Sequence, residues 1–196
     1  MKTSVEPLPP SAWDESLMPI IENLDGDPLN VHRLMANHPQ LLSAWWNFRN
    51  HAVNGGALGK RLGELVILRV AVHMGSWYEW ASHVDRSLHC GLSLDEINRV
   101  TERRIGPKWQ ANEACLLEAV DELIASHGLS SDLQSKMELY FSVEQVMDVI
   151  AIHGMYVVLA CMIKTWGLKL DEDVQSRLPS TVTEDFFEHQ RGAGFL

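Results

Sequence analysis

The chain is short of cysteine, of positive charge and of strand-like alternation. Its three cysteines, Cys90, Cys115 and Cys161, are an odd and widely spaced set. They form neither a CxxC pair nor a disulfide framework, which points to a reducing, cytoplasmic setting. Lys and Arg number 16 against 26 Asp and Glu, a net charge of −10. A phosphate backbone must be neutralised by basic side chains, so nucleic acid is excluded as the main partner. An anionic membrane surface is excluded on the same ground. The first seven residues, MKTSVEP, lack the apolar core of a signal peptide. The most apolar run, residues 149–163, is too short for a membrane span and carries His153. No stretch alternates with period two between turn residues, so no strand is expected.

What remains is helical. With 196 residues, 46% of them hydrophobic, the chain has the material for one domain with a substantial core. Residues 1–29 read as an irregular arm, because Pro7, Pro9, Pro10, Pro19 and Pro28 interrupt any helix. Helices are expected over 30–35, from Pro39 to about 53, and over 59–72. The last is apolar nearly all round, as a helix at the centre of a domain would be. Further helices are expected from Gly75 to Cys90 and from Asn112 to a stop at Gly128. Capping boxes at Ser93, Ser131 and Ser142 open three more, the last a long apolar helix to Trp166 with Gly167 as its stop. The domain proper spans 30–170. The acidic tail, 171–196, either frays or packs across a neighbour.

The helix after Gly75 carries the most suggestive chemistry. At 100° per residue, Trp77, Trp80, Ala81, Val84 and Leu88 share an apolar face, with Ser76, Glu79 and His83 in the adjacent arc. Glu79 and His83 are four apart and can touch. Trp80 would keep water from Glu79. A carboxylate and an imidazole beside an apolar wall form a coupled pair suited to moving protons, though such a pair also reads as a plain surface contact. Glu64 lies inside the apolar central helix and needs a partner there. Arg61, Arg69 or His83 could supply it, either as a buried ion pair or as a carboxylate that orients His83. His153 reads first as a core residue, three positions before Tyr156. Trp45, Trp46 and His51 either line the same cavity or pack. A metal set of Glu79, His83 and His153 has suitable donors and stays open as an alternative.

These residues resemble a family. The runs RLGELVILRVA from Arg61, GSWYEWASHV from Gly75 and CGLSLDEI from Cys90 look like the carboxymuconolactone decarboxylase family, which shares its fold with the alkylhydroperoxidase D-like proteins. The approach LMANHP and the closing helix with His153, Tyr156 and Trp166 extend the resemblance over roughly residues 30–170. In the hydroperoxidase branch a Glu is followed by a CxxC and a His. Glu64 and His83 match the Glu and the His, while Ser76 and Glu79 stand at the two Cys positions. Without both thiols the dithiol chemistry is lost.

The resemblance implies an all-α fold in intertwined oligomers, a dimer, trimer or hexamer of this chain. It implies a decarboxylase-like lyase with no cofactor and no metal, acting on a small carboxylate or lactone. His83 would carry the proton, Glu79 would tune or relay it, and Glu64 would orient the imidazole. Ser76, Tyr78, Trp80, Trp46 and His153 would contact substrate, and Arg61 or Arg69 would hold its carboxylate, unless Arg69 only pairs with Glu64. The alternatives are a small-molecule binding or stress-response module of the same fold, or a peroxidase-like protein without the dithiol.

Overall fold

The computed structural model of the chain describes residues 5–192. The first four residues of the arm and residues 193–196 of the tail lie outside it. The described residues form helices and no strand.

The arm is more ordered than its prolines suggest. Two 3-10 turns, Pro10–Ala12 and Glu15–Leu17, lead into α1 (Met18–Asn23). Pro10 and Pro19 fall in first turns, where a missing N–H costs nothing. Trp13, Leu17 and Ile20 are buried and dock the arm on the core. Next come α2 (Asn30–Met35) and α3 (Pro39–Asn50). The regular helix stops before 53 because the chain widens into a π-helical turn, His51–Gly55. Asp148 fastens that turn, accepting from His51 Nε2 at 2.9 Å and from the Leu58 backbone N–H at 3.0 Å.

The central helix is α4 (Lys60–Met74), buried without interruption from Gly63 to Val72. Its C-terminus turns at Gly75, which is left-handed with φ 59°, a conformation that only glycine adopts without strain. This corner folds α5 (Trp77–His89) back along α4, so residues before the turn face residues after it. After α6 (Leu94–Arg99), whose Ser93–Glu96 capping box forms, comes α7 (Ala111–Ser126). It ends at a left-handed His127 with φ 60°, one residue before Gly128. The cap of α8 (Ser131–Met137) is Ser130, one residue before the expected Ser131. Then α9 (Val143–Trp166) opens on the Ser142 capping box and closes at Gly167.

Helices α5, α7 and α9 all pack against α4. Arg69, buried in α4, binds both oxygens of Asp121 on α7 at 2.6 and 2.7 Å and reaches the carbonyls of Val100 and Glu102. It is therefore a brace and not a partner of Glu64. The 24 residues of α9, with mean hydropathy 2.1 over their most apolar window, are long and apolar enough to cross a membrane. This exceeds the apolar run seen in the sequence. Its packing on α4 and α7 accounts for that character as that of a core helix.

Over its described residues, 171–192, the tail does not fray. It forms α10 (Glu172–Arg177) and α11 (Glu184–Arg191) and packs on its own chain. Phe187 is fully buried, with its ring centroid 5.4 Å from that of Trp80 and 5.9 Å from that of Trp77.

Candidate functional site

The corner at Gly75 brings Glu64, near the start of α4, against the second half of α5. Glu64 Oε2 lies 2.6 Å from His83 Nδ1, and Oε1 accepts from Arg86 Nε at 3.2 Å. Burial pushes the Glu64 carboxyl up, but His83 and Arg86 more than offset it and hold it below its ordinary value. An ionised carboxylate only accepts, so His83 Nδ1 carries a proton. The other ring nitrogen, Nε2, is 2.9 Å from the Tyr156 hydroxyl on α9. In the neutral ring Nε2 accepts, and Tyr156 donates. Burial raises the Tyr156 pKa far above the usual phenol range, so that hydroxyl keeps its proton. Glu64, His83 and Tyr156 thus form one buried hydrogen-bonded chain.

This chain opens into a cavity between α2, α3, α5 and α9. It encloses ≈ 500 Å³ counting its mouth. Leu29, Val31, Leu159 and Ile163 make the apolar part of its wall, and no cysteine lines it. Tyr78 lines it too and ties the domain to the tail. Its hydroxyl donates to Asp171 Oδ2 at 2.6 Å and accepts from the Val31 N–H at 3.1 Å, while Asp171 Oδ1 accepts from the Asn30 N–H at 2.8 Å.

Glu79 faces the same space. Both its carboxyl oxygens are buried without a hydrogen-bond partner, and burial pushes its pKa up to about 8. Ser76 beside it pulls the other way, without a hydrogen bond of ordinary geometry. Glu79 is therefore a neutral acid at pH 7. Buried polar groups normally have partners. This cavity gathers several without one: Glu79, His32 Nδ1, Trp45 Nε1 and Ser82 Oγ. Burial, Arg49 and Arg86 lower the His32 pKa to about 3, so its imidazole is neutral as well.

Residues 39–122 match the model of the carboxymuconolactone decarboxylase family. Among solved structures, one similar fold is the alkylhydroperoxidase AhpD core of an uncharacterised peroxidase-related protein from Ralstonia eutropha JMP134. It shows 16% identity and TM-score 0.77, over 90% of this chain and 98% of that one. The debrominase Bmp8 bound to 2,3,4-tribromopyrrole is also similar, with 16% identity and TM-score 0.73 over 90% and 96%. A protein of unknown function from Agrobacterium tumefaciens shares 24% identity, with TM-score 0.64 over 70% and 94%. At these identities the likeness speaks for the alkylhydroperoxidase D-like fold alone. No curated protein sequence matches the chain.

Of the residues expected at the site, Glu64, Glu79, His83 and Tyr78 come together. The remainder do not. Glu79 and His83 have no hydrogen bond to each other, because His83 is taken by Glu64 and Tyr156. Arg61 binds Glu113 and Glu96 at 2.8 and 2.5 Å and the Gly91 carbonyl, so it holds α7 and the capping box of α6 together. Ser76 is buried behind the wall. Trp80 is wholly buried under α11, on the face away from the cavity. Trp46 packs one layer back, edge-on to His32 at 5.5 Å, while its neighbour Trp45 lines the space. His153 is turned away from the cavity towards His73 and His127. The set Glu79, His83 and His153 is therefore not assembled as a metal site, and among the described residues no other group of three such donors is.

The sequence reading missed Arg86, Arg49 and His32 and gave Tyr156 no role. Arg86 had a signal. It continues the polar stripe of Glu79, Ser82 and His83 by one turn.

Proposed function

We propose that the chain is a cofactor-independent lyase acting on a small carboxylate or lactone by proton transfer. The observation that carries this reading is Glu79. A buried, unpartnered, neutral carboxyl group faces the cavity into which the Glu64–His83–Tyr156 chain opens. Loss of CO₂ breaks a carbon–carbon bond and leaves its electron pair on the substrate as an enolate-like anion. A neutral Glu79 donates a hydrogen bond to the developing oxyanion without repelling it. His83, in the form that carries a second proton, passes it through the Tyr156 hydroxyl to the enolate carbon. Glu64 stabilises the imidazolium while it lasts and fixes its orientation. Water at the cavity mouth returns the proton. A lactone would use the same groups for proton removal and return beside its carbonyl.

The test is mass spectrometry of small cyclic carboxylates and lactones incubated with the protein, in chelator and without thiol, beside His83→Ala. Loss of CO₂ that depends on His83 supports the lyase. Isomerisation without mass change keeps the acid–base site and corrects the reaction. A folded protein that binds these compounds and turns none over refutes the lyase and favours a binding module.

A further inference from the structure

The lyase reading needs a group that holds the substrate's charge, and Arg61 and Arg69 are both spent elsewhere. The cavity contains two other guanidiniums, Arg49 and Arg86. Arg86 is already paired with Glu64 and is 40% exposed at its side chain. Arg49 differs. Among the described residues it has no carboxylate partner. Its one hydrogen bond goes from Nη1 to the Asn50 side-chain oxygen at 3.0 Å. Its guanidinium sits over the Trp46 ring, with Cζ 5.0 Å from the ring centroid. Stacking holds the fork in place and leaves most of its N–H groups unused.

Trp45 stands one turn earlier on the same helix, and its indole N–H is buried with no acceptor. An indole N–H can only donate. A cation and a neutral donor spaced i, i+4 lie on one helix face and project to the same side. They open on a space walled by Leu29, Val31 and Tyr78. Two more buried polar atoms there lack partners, His32 Nδ1 and a Glu79 carboxyl oxygen. Both residues are only 3% exposed.

We infer that Arg49 and the Trp45 indole N–H form the anchor for a small organic monoanion, a carboxylate on a compact planar body. This rests on the lyase reading for what happens to the anion afterwards, but not for its binding. One uncompensated cation calls for one negative charge, because a second would lie buried and unpaired. Tyr78 supplies an aromatic face and Leu29 and Val31 an aliphatic one, a lining suited to a planar body. Charge-assisted hydrogen bonds from Arg49 would then separate an acid from its neutral amide.

The experiment uses 2-furoate and its neutral isostere 2-furamide at mildly acidic pH. Affinity is read by calorimetry and by the indole N–H resonance of Trp45, assigned through Trp45→Phe. The expected result is that 2-furoate moves the Trp45 signal and binds about tenfold or more tightly than 2-furamide. Arg49→Gln abolishes that preference, while Arg49→Lys keeps part of it. If Arg49→Gln does not fold, the acid–amide ratio in the native protein and in Arg49→Lys decides. Equal binding of acid and amide, an unmoved Trp45 signal, or an unchanged ratio in Arg49→Gln overturns the anchor. Anchored 2-furoate in a protein that turns over no carboxylate sinks the lyase and leaves the anchor standing. Turnover that depends on His83 and ignores Arg49 does the reverse.

Discussion

The clearest perturbation is Glu79→Gln, which keeps the shape and removes the ionisation. The Glu79 carboxyl is raised in the folded chain from an ordinary 4.5 to about 8. A raised acid favours folding only in its protonated form. It costs nothing below pH 4.5, costs progressively more between 4.5 and about 8, and levels off above. At 1.36 kcal/mol per pH unit, the cost is about 3 kcal/mol at pH 7 and about 5 kcal/mol above pH 8. Glu79→Gln escapes it, so the variant should gain stability over the native protein as pH rises and gain none near pH 4. At pH 7 a gain of about 3 kcal/mol would raise Tm by roughly 6–12 °C for a domain of this size. Urea and thermal unfolding of both proteins from pH 4 to 9 reads the difference. A difference that stays constant with pH would refute the argument, because Glu79 would then not titrate within the fold. Activity supplies an independent reading. Once a substrate is in hand, kcat/KM should fall above about pH 8 as Glu79 ionises, and Glu79→Gln should lack that limb.

The other expectations can be stated together. His83→Ala should lower kcat by ~10²–10⁴; a drop below about threefold takes His83 out of the proton path. Tyr156→Phe keeps the ring and removes the hydroxyl next to His83 Nε2. It should lower kcat by roughly tenfold with little change in KM, and equal kcat values would show that the hydroxyl carries no proton. Asp121→Asn leaves the buried Arg69 charge without its bidentate partner and should cost about 3 kcal/mol in urea unfolding; a cost within experimental error would show that the carbonyls of Val100 and Glu102 suffice. The outer face of α9, where Met147, Ile150 and Val158 are exposed, should be covered by a second copy of the chain. Light scattering that reads a monomer at working concentrations would refute that.

How much of this was legible in the sequence follows the range of the interactions. The central helix was readable because an apolar surface all round has one physical explanation. The capping boxes at Ser93 and Ser142 formed because both partners lie within one turn. The pairing of Glu64 with His83 was open among three partners, since only the Gly75 corner decides which residues face each other. Arg49 and His32 carried no signal. They reach the cavity only after α2 and α3 fold over α5, and nothing in their own neighbourhood records that. Trp80 was misplaced for a local reason: one step from Glu79 is 100° of rotation, which carries it onto the opposite wall under α11. The tail was misjudged because its acidic composition hid Phe186 and Phe187, whose rings pack on Trp80.

The start of α5 carries the most direct local argument for the proposed site. Ser76-Trp77-Tyr78-Glu79 has the four-residue pattern of a capping box, the same as Ser93-Leu94-Asp95-Glu96. At Ser93 both reciprocal hydrogen bonds are present. At Ser76 there is no side-chain cap at all. The fold forgoes about 1 kcal/mol of helix capping there. It also overrides the helix dipole, which would favour an ionised Glu in the first turn by about 0.3–1 kcal/mol. Burial, worth about 5 kcal/mol against the charge once the pKa reaches about 8, is several times larger and decides the protonation state. A carboxyl group that gives up its local partner, faces a cavity and stays neutral is kept at a loss to stability. Such a loss is expected where the group acts on something that enters the cavity.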